Sequence, residues 1–121
     1  MRTMRQWRLA VARAIQRKSG QAFLKEMKAA LEALPEKKLL MENLQDEYED
    51  GAVSALGAIG RLRNLKMSNI DPEDYEQIAA LFKVPHSLVC EVMYMNYDHW
   101  WRLSPKARYK KVIGWLESQI K

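Results

Sequence analysis

The chain has one cysteine among its 121 residues, Cys90, and therefore cannot form a disulfide bond within one molecule. A lone thiol is typical of proteins from reducing compartments, where the apolar core stabilises the fold without cross-links. No apolar run approaches the roughly 18 residues of a membrane-spanning helix. The basic N-terminus also has no continuous hydrophobic segment of the kind that a secretory signal contains. These absences predict a cytoplasmic protein without a membrane partner.

Residues suited to catalysis and metal binding are scarce. The histidines are His86 and His99, and only His86 lies at helical spacing from Cys90. Two ligands fall short of the four that a structural zinc site needs. A nucleophile pair of Cys90 and His86 is the alternative, but the pattern places no carboxylate to orient the histidine. The sequence therefore predicts that the protein is not an enzyme and has no metal or cofactor.

Strand-like alternation is also missing, and helical periodicity takes its place along nearly the whole chain. We predict an all-α fold in which residues 1–121 form a single compact bundle of six or seven short helices. The expected helical stretches are 4–17, 21–34, 36–50, 52–64, 72–82, 84–95 and a last helix that begins at Ser104 and Pro105.

Local signals mark several helix ends. Ser19 and Gly20 interrupt the periodicity between the first two stretches. Asn64 favours a left-handed C-cap after the fourth stretch. Asp71 followed by Pro72 is typical of a helix start, with the aspartate as N-cap and the proline at the first helical position.

The stretch 52–64 is rich in small residues, including Gly57 and Gly60. A glycine in a helix interior costs about 1 kcal/mol relative to alanine, so two of them predict that another backbone approaches closely. A phosphate-binding loop and an RNA-clamping GxxG are the alternatives, but the preceding strand, the following Gly-Lys-Ser/Thr and a flanking sheet are missing. Close helix packing is therefore the favoured interpretation.

The net charge of +5 is unevenly distributed. Residues 1–35 carry a net charge of +6, residues 36–50 of −4, residues 51–82 of −1 and residues 83–121 of +4. Acidic side chains at the C-terminal end of the helix predicted for 36–50 oppose its macrodipole. This unfavourable placement indicates either an outside partner or a neighbouring basic helix that pairs with them.

An aromatic connector, YDHWWRL, follows the helix predicted for 84–95. It concentrates tyrosine, tryptophan and arginine, which are enriched at binding hot spots; a lid over the end of the bundle is the structural alternative. Together with the acidic cluster it forms the predicted partner-binding surface. The residues of that surface are Asp46, Glu47, Glu49, Asp50, Tyr97, Trp100, Trp101 and Arg102.

The segment IAALFKVPHSLVCEV, residues 78–92, has the pattern of a helix-turn-helix. Ala79 is the small residue of its first helix, and Lys83 stands at the turn position where glycine is usual. The predicted outward positions of the second helix are Pro85, His86, Ser87, Cys90, Glu91 and Tyr94. They include no arginine or lysine, so this surface is poorly suited to a polyanion. A packing unit is favoured over a DNA reader.

DNA binding is the alternative function, with the basic terminal helices as the main contacts. Such contacts neutralise phosphates and make the affinity fall steeply with salt. The candidate nucleic-acid-binding residues are Arg2, Arg5, Arg13, Arg17, His86, Ser87, Lys106, Arg108, Lys110 and Lys111.

Four blocks follow one another along the chain: GQAFLKEM (20–27), ALGAIGR (55–61), MSNIDPEDYE (67–76) and the closing WLESQIK. Together they resemble a family of small uncharacterised all-helical proteins encoded by bacteriophages and prophages. The resemblance implies phage origin, the cytoplasm of a bacterial host and no assigned activity. Phage accessory proteins of this size are often inhibitors or adaptors of host proteins, including defence proteins. We therefore expect a non-catalytic interaction protein that binds a host or phage protein, and homo-oligomerisation is compatible with this.

Overall fold

A computed structural model describes residues 3–41, 43–46, 52–67, 69–97 and 102–121. Within these ranges the chain forms six helices, joined by irregular segments and an isolated antiparallel bridge between Gln45 and Val53. The helices are α1 (Met4–Gln16), α2 (Lys18–Glu32), α3 (Ala55–Leu62), α4 (Tyr75–Phe82), α5 (His86–Asn96) and α6 (Pro105–Gln119). The predicted all-α bundle is confirmed.

Helices α2 and α5 form the centre of the bundle. α2 packs against α1, α3 and α6, and α5 packs against α1, α3, α4 and α6. The largest fully buried side chains of the common core include Leu24, Met27, Leu31, Ile59, Ile78, Leu88 and Leu116. Because α5 is covered on several sides, only a narrow strip of it faces solvent.

No single helix of the described residues is long and apolar enough to cross a membrane. Only α4 and α5 taken together reach that length and composition, and they are bent by 112° at the turn between them.

The sequence predicts the break between α1 and α2 at Ser19 and Gly20, but the structure has it earlier in the chain. Arg17 is extended, with φ −64° and ψ 152°, and α2 begins at the next residue. Gly20 is buried inside α2, where a Cβ would overlap the carbonyl oxygen of Ala14. Its role is to let two consecutive helices pack closely at their corner, rather than to end one of them.

The prediction of a helix over 36–50 is wrong for the residues that the structure describes, 36–41 and 43–46. They form an irregular segment. Its backbone groups bond to distant parts of the chain. The Leu39 N–H donates to the Pro105 carbonyl at 3.1 Å, and the Leu40 N–H donates to the Val53 carbonyl at 2.8 Å. These tertiary bonds replace the helical ladder, so the periodic leucines serve core burial without a helix. The macrodipole argument for the acidic cluster therefore has no helix to support it among the described residues.

The DPED segment starts a helix, but later than predicted. The N-cap of α4 is Asp74, whose Oδ1 accepts from the Gln77 N–H at 3.1 Å. Asp71 instead closes a turn, in which its Oδ1 accepts from the Glu73 N–H at 2.9 Å. Pro72 therefore lies in that turn and not at the first position of the helix.

Helices α4 and α5 form the predicted helix-turn-helix-like unit. Their axes turn by 112°, an angle typical of this motif. Lys83 is the turn residue and adopts the left-handed conformation, with φ 58°. A residue with a Cβ is strained in this region, which is why glycine is usual there.

Two further boundary signals are confirmed. Ser104 caps α6 by accepting the Ala107 N–H at 3.1 Å, with proline next to it at the start of the helix. Asn64 has φ 59° and turns the chain away from the axis of α3. The Leu65 N–H then donates to the Gly60 carbonyl at 2.7 Å.

Candidate protein-interaction face

The solvent-facing strip of α5 carries four side chains suited to recognition. His86, Cys90, Tyr94 and the C-cap Tyr97 follow one another along it at helical spacing. Tyr94 is 58% exposed and Tyr97 is 44% exposed. Because the rest of α5 is packed between other helices, the strip is a rigid support for these side chains. We call the strip, together with the groove on each side of it, the α5 face.

A groove of about 590 Å³ lies on one side of the strip, between α5, the irregular segment after α2 and the turn before α4. It is lined by Met41, Asn43, Asp71, Pro72, Glu73, Tyr75, Cys90, Met93, Tyr94 and Tyr97. Tyrosine and methionine side chains make the wall largely apolar, and the two carboxylates come from the turn. We call it the tyrosine groove.

A second groove, of about 640 Å³, lies on the other side of the strip. It is lined by Met4, Trp7, Arg8, Cys90, Glu91, Tyr94, Met95 and Trp115. We call it the tryptophan groove. Cys90 and Tyr94 line both grooves and therefore form the ridge between them.

His86 is held between aromatic rings at the start of α5. The centroid of its ring lies 6.2 Å from those of Trp7 and Tyr75. Its Nε2 lies 3.7 Å from the Cys90 Sγ. Burial raises the pKa of the Cys90 thiol, so the protonated form is favoured at neutral pH over the nucleophilic thiolate. This arrangement suits contact and hydrogen bonding better than nucleophilic chemistry.

Glu91, predicted to point outward, is buried and paired with Arg8 of α1. Arg8 Nη1 donates to Glu91 Oε1 at 2.8 Å, and Nη2 donates to Oε2 at 3.0 Å. These hydrogen bonds raise the pKa of Arg8. A bidentate pair of this kind fixes relative orientation as well as distance, so it sets how α1 lies over α5 at the tryptophan groove. Ser87, also predicted outward, is 6% exposed and belongs to the core side of α5.

Two of the predicted partner-binding residues border connected grooves. Tyr97 lines the tyrosine groove, and Arg102 lines a third groove of about 320 Å³. Met41 and Asn43 line both of these grooves. The irregular segment therefore joins the two grooves into one continuous surface.

Of the predicted acidic residues, Asp46 is the one that the structure describes, and it does not line these grooves. Asp46 is half-buried, and its N–H donates to the Ala52 carbonyl at 3.0 Å beside the isolated bridge. The other predicted members lie outside the described residues; they are Glu47, Glu49, Asp50, Trp100 and Trp101.

The candidate nucleic-acid-binding residues divide into exposed and buried ones. Arg2 lies outside the described residues, and the exposed members are Arg5, Arg13, Arg17, His86, Lys106 and Lys110. Arg108 was wrongly assigned to the surface: it is 4% exposed and donates to the carbonyls of Leu39 at 2.6 Å and Leu103 at 3.0 Å. Lys111 is half-buried, and its Nζ donates to the Tyr97 carbonyl at 2.9 Å.

Sequence reasoning missed the methionines and flanking aromatics of the face. Met4, Met41, Trp7 and Tyr75 come from three separate segments, and only the tertiary structure brings them to α5. The one signal in the sequence is the count of seven methionines. Methionine is frequent at adaptable binding surfaces because its thioether chain is flexible and polarisable.

Compared with protein-family models, with curated proteins and with solved structures, the chain matches none of them. The phage origin stays a prediction, and the α5 face is the feature of the molecule from which a function can be argued.

Proposed function

We propose that this protein is a non-catalytic interaction module that binds another protein through the α5 face. The observation that carries the proposal is the ridge of Cys90 and Tyr94 with a largely apolar groove on each side. Binding energy at interfaces concentrates in tyrosine, tryptophan and arginine near well-packed centres. The α5 face has all three residue types, together with methionines that can adapt to a partner.

The exposure of the large apolar side chains supports this proposal. Met4 is 75% exposed and Tyr94 is 58% exposed, on opposite walls of the tryptophan groove. Removing apolar surface from water is favourable by about 25 cal/mol per Å². The unbound protein lacks this stabilisation at these side chains, and a partner that covered them would supply it. Clustered exposed apolar side chains with a polar rim mark interaction sites more often than isolated ones do.

More specifically, we propose that the protein is a phage-type accessory protein that inhibits a host protein by occupying one of its surfaces. Two features support this form. Four sequence blocks resemble phage-encoded proteins, and the α5 face offers contact surface of the residue types that are enriched at protein interfaces.

DNA binding through α4 and α5 is the second candidate function. The bend of 112° and the left-handed turn at Lys83 favour it. The chemistry opposes it, because phosphate contacts need cations and the exposed strip of α5 presents histidine, cysteine and tyrosine. The exposed side chains near the start of α4 are acidic: Asp71, Glu73, Asp74 and Glu76. Any DNA contact would therefore fall to the exposed arginines and lysines of α1 and α6.

Replacing Tyr94 with serine is expected to weaken partner binding at least tenfold, because it removes the larger of the two side chains that form the ridge between the grooves. A tenfold change corresponds to about 1.4 kcal/mol, which exceeds the roughly 1 kcal/mol that fewer than a third of interface residues contribute. Tagged protein is incubated with nuclease-treated bacterial lysate, and the retained protein is identified by mass spectrometry. The partner is then purified and titrated calorimetrically against the wild type and Tyr94→Ser.

Leu62→Ser is the matched control, since Leu62 is 48% exposed on α3 and does not line the described grooves. It should bind like the wild type. Cys90, the only thiol, then locates the interface: its alkylation by iodoacetamide should slow when the partner is bound. Equal losses for the two variants, or unchanged alkylation of Cys90, would rule out the α5 face. Capture that disappears with nuclease would move the function to nucleic acid and the terminal helices.

A further inference from the structure

We propose that the tyrosine groove binds a cationic side chain, an arginine or a lysine, carried by an exposed segment of the partner protein. This inference rests on the proposed function, because it names the chemistry that the same face recognises. The groove combines tyrosine rings, an apolar wall and two carboxylates, and its described lining includes no positively charged residue.

Tyr75, Tyr94 and Tyr97 provide the aromatic part of the site. The face of an aromatic ring attracts a cation within about 6 Å of its centroid, and the attraction grows as water is excluded. The chain already contains one such contact, in which the guanidinium carbon of Arg63 lies 5.3 Å from the centroid of Phe82. Three tyrosines in one groove offer a cation several ring surfaces at once.

Asp71 and Glu73 provide the negative charge. Both side chains are exposed, and no lysine, arginine or histidine of the described residues lies within 4 Å of either carboxylate. The Glu73 N–H donates to Asp71 Oδ1 at 2.9 Å, which fixes the aspartate at the edge of the groove. A cation that enters the groove therefore meets carboxylates that form no ion pair with the described part of the chain.

The phenol of Tyr75 contributes to the site in its neutral, protonated form. Burial raises its pKa, and the nearby Cys90 and Glu73 raise it further. The phenol is therefore neutral at physiological pH and presents a ring and a hydroxyl group. The Glu73 carboxylate, which disfavours a phenolate at this position, favours a cation for the same electrostatic reason.

The apolar wall indicates a side chain rather than a small free ion. Met41, Pro72 and Met93 line the groove beside the tyrosines, and the aliphatic stems of lysine and arginine cover such surface while the charged end reaches a polar rim. Met41 and Asn43 also line the groove of Arg102. The residues that flank the cation in the partner segment therefore have a continuous surface along which to lie.

The test compares two short peptides that differ in one charge. The first is an acetylated, amidated five-residue peptide with an arginine between two leucines. The second has citrulline in place of the arginine, which preserves the size and most of the hydrogen bonding but is uncharged. In ¹H–¹⁵N NMR titrations of the full chain, the arginine peptide is expected to shift the amide signals of Tyr75, Cys90 and Tyr94 saturably. The citrulline peptide should bind at least tenfold more weakly.

The combined variant Asp71→Asn and Glu73→Gln should abolish this preference. Asparagine keeps an acceptor for the turn, so the fold should be retained. The matched control combines Glu76→Gln and Glu117→Gln, which removes two exposed carboxylates outside the described groove linings. It should keep the tenfold preference.

Equal affinity for the two peptides, or a preference that survives Asp71→Asn with Glu73→Gln, would overturn the inference. Shifts of the same amides that depend on protein concentration alone would place a cation of a second copy in the groove and overturn the assignment to a partner. The two proposals also fail separately. If Tyr94→Ser loses the captured partner and the doubly neutralised variant retains it, the interaction function stands and the cation preference is wrong.

Discussion

Alanine at position 57 is expected to lower the free energy of unfolding by about 3 kcal/mol, the upper part of the range for overpacking a core. The added Cβ would overlap the carbonyl oxygen of Leu44 and lie 3.2 Å from the Cβ of Val53. That carbonyl cannot withdraw freely, because it accepts the Ser54 N–H at 3.1 Å. Urea denaturation of Gly57→Ala, followed by far-UV circular dichroism, measures the loss.

Gly114→Ala is the matched control, because the same chemical change is expected to have the opposite sign there. Gly114 lies in the middle of α6, and an added Cβ would come within 4 Å of no described atom beyond its chain neighbours and the backbone of its own helix. Alanine should therefore stabilise the helix by about 0.5–1 kcal/mol. If the free energy of unfolding of Gly57→Ala lies within about 0.5 kcal/mol of the wild-type value, the backbone at Leu44 moves to make room and the close approach is not required.

The close approach at Gly57 matters for function because it fixes the irregular segment that borders the α5 face. The segment runs from the end of α2 to the bridge at Gln45, and it contributes Met41 and Asn43 to two grooves. A segment without regular secondary structure holds a binding surface only if its backbone is anchored elsewhere. Gly57 permits one of these anchors by letting α3 approach the backbone at Leu44.

The sequence was sufficient wherever local chemistry decides the conformation. Ser104 caps α6 and Asn64 turns the chain after α3, as their side chains favour. Lys83 was predicted at a left-handed turn on its position alone, and it adopts φ 58°. In each case the signal and the structure that it determines lie within four residues of one another.

The irregular segment could not be predicted in this way. Leucines at helical spacing suggested a helix over 36–50, yet Leu39 and Leu40 donate to carbonyls at Pro105 and Val53. A periodic apolar pattern reports which side chains seek the core, and it does not report which backbone partners are within reach. Those partners lie more than ten residues away in the chain, so no local pattern contains them.

The candidate site was recovered only in part for a related reason. Tyr97 and Arg102 were identified by residue type, and both border the connected grooves. Ser87, Glu91 and Arg108 were assigned to the surface although all three are buried. Helical spacing gives the faces of a helix but not which of them a neighbouring helix covers, and here Arg8 of α1 draws one carboxylate inward.

Asn96→Ala is expected to destabilise the fold by about 3 kcal/mol, because it removes three hydrogen bonds from a fully buried site. Asn96 is 0% exposed at the end of α5. Its Nδ2 donates to the carbonyls of Leu40 at 2.8 Å and Met41 at 2.9 Å, and its Oδ1 accepts the Ala55 N–H at 3.1 Å. One amide therefore ties α5 to the irregular segment and to the start of α3.

Aspartate at position 96 separates the two halves of this contact. Asn96→Asp keeps the acceptor for Ala55 but places a carboxylate oxygen against the carbonyls of Leu40 and Met41, so it should destabilise at least as much as alanine. Asn43→Ala, an exposed change on the same segment, should stay within about 0.5 kcal/mol of the wild type in the same urea titration. Because Met41 lines the tyrosine groove, variants at position 96 that remain folded should also bind the arginine peptide more weakly. A loss below about 1 kcal/mol for both variants at position 96 would mean that other contacts hold the segment against α5.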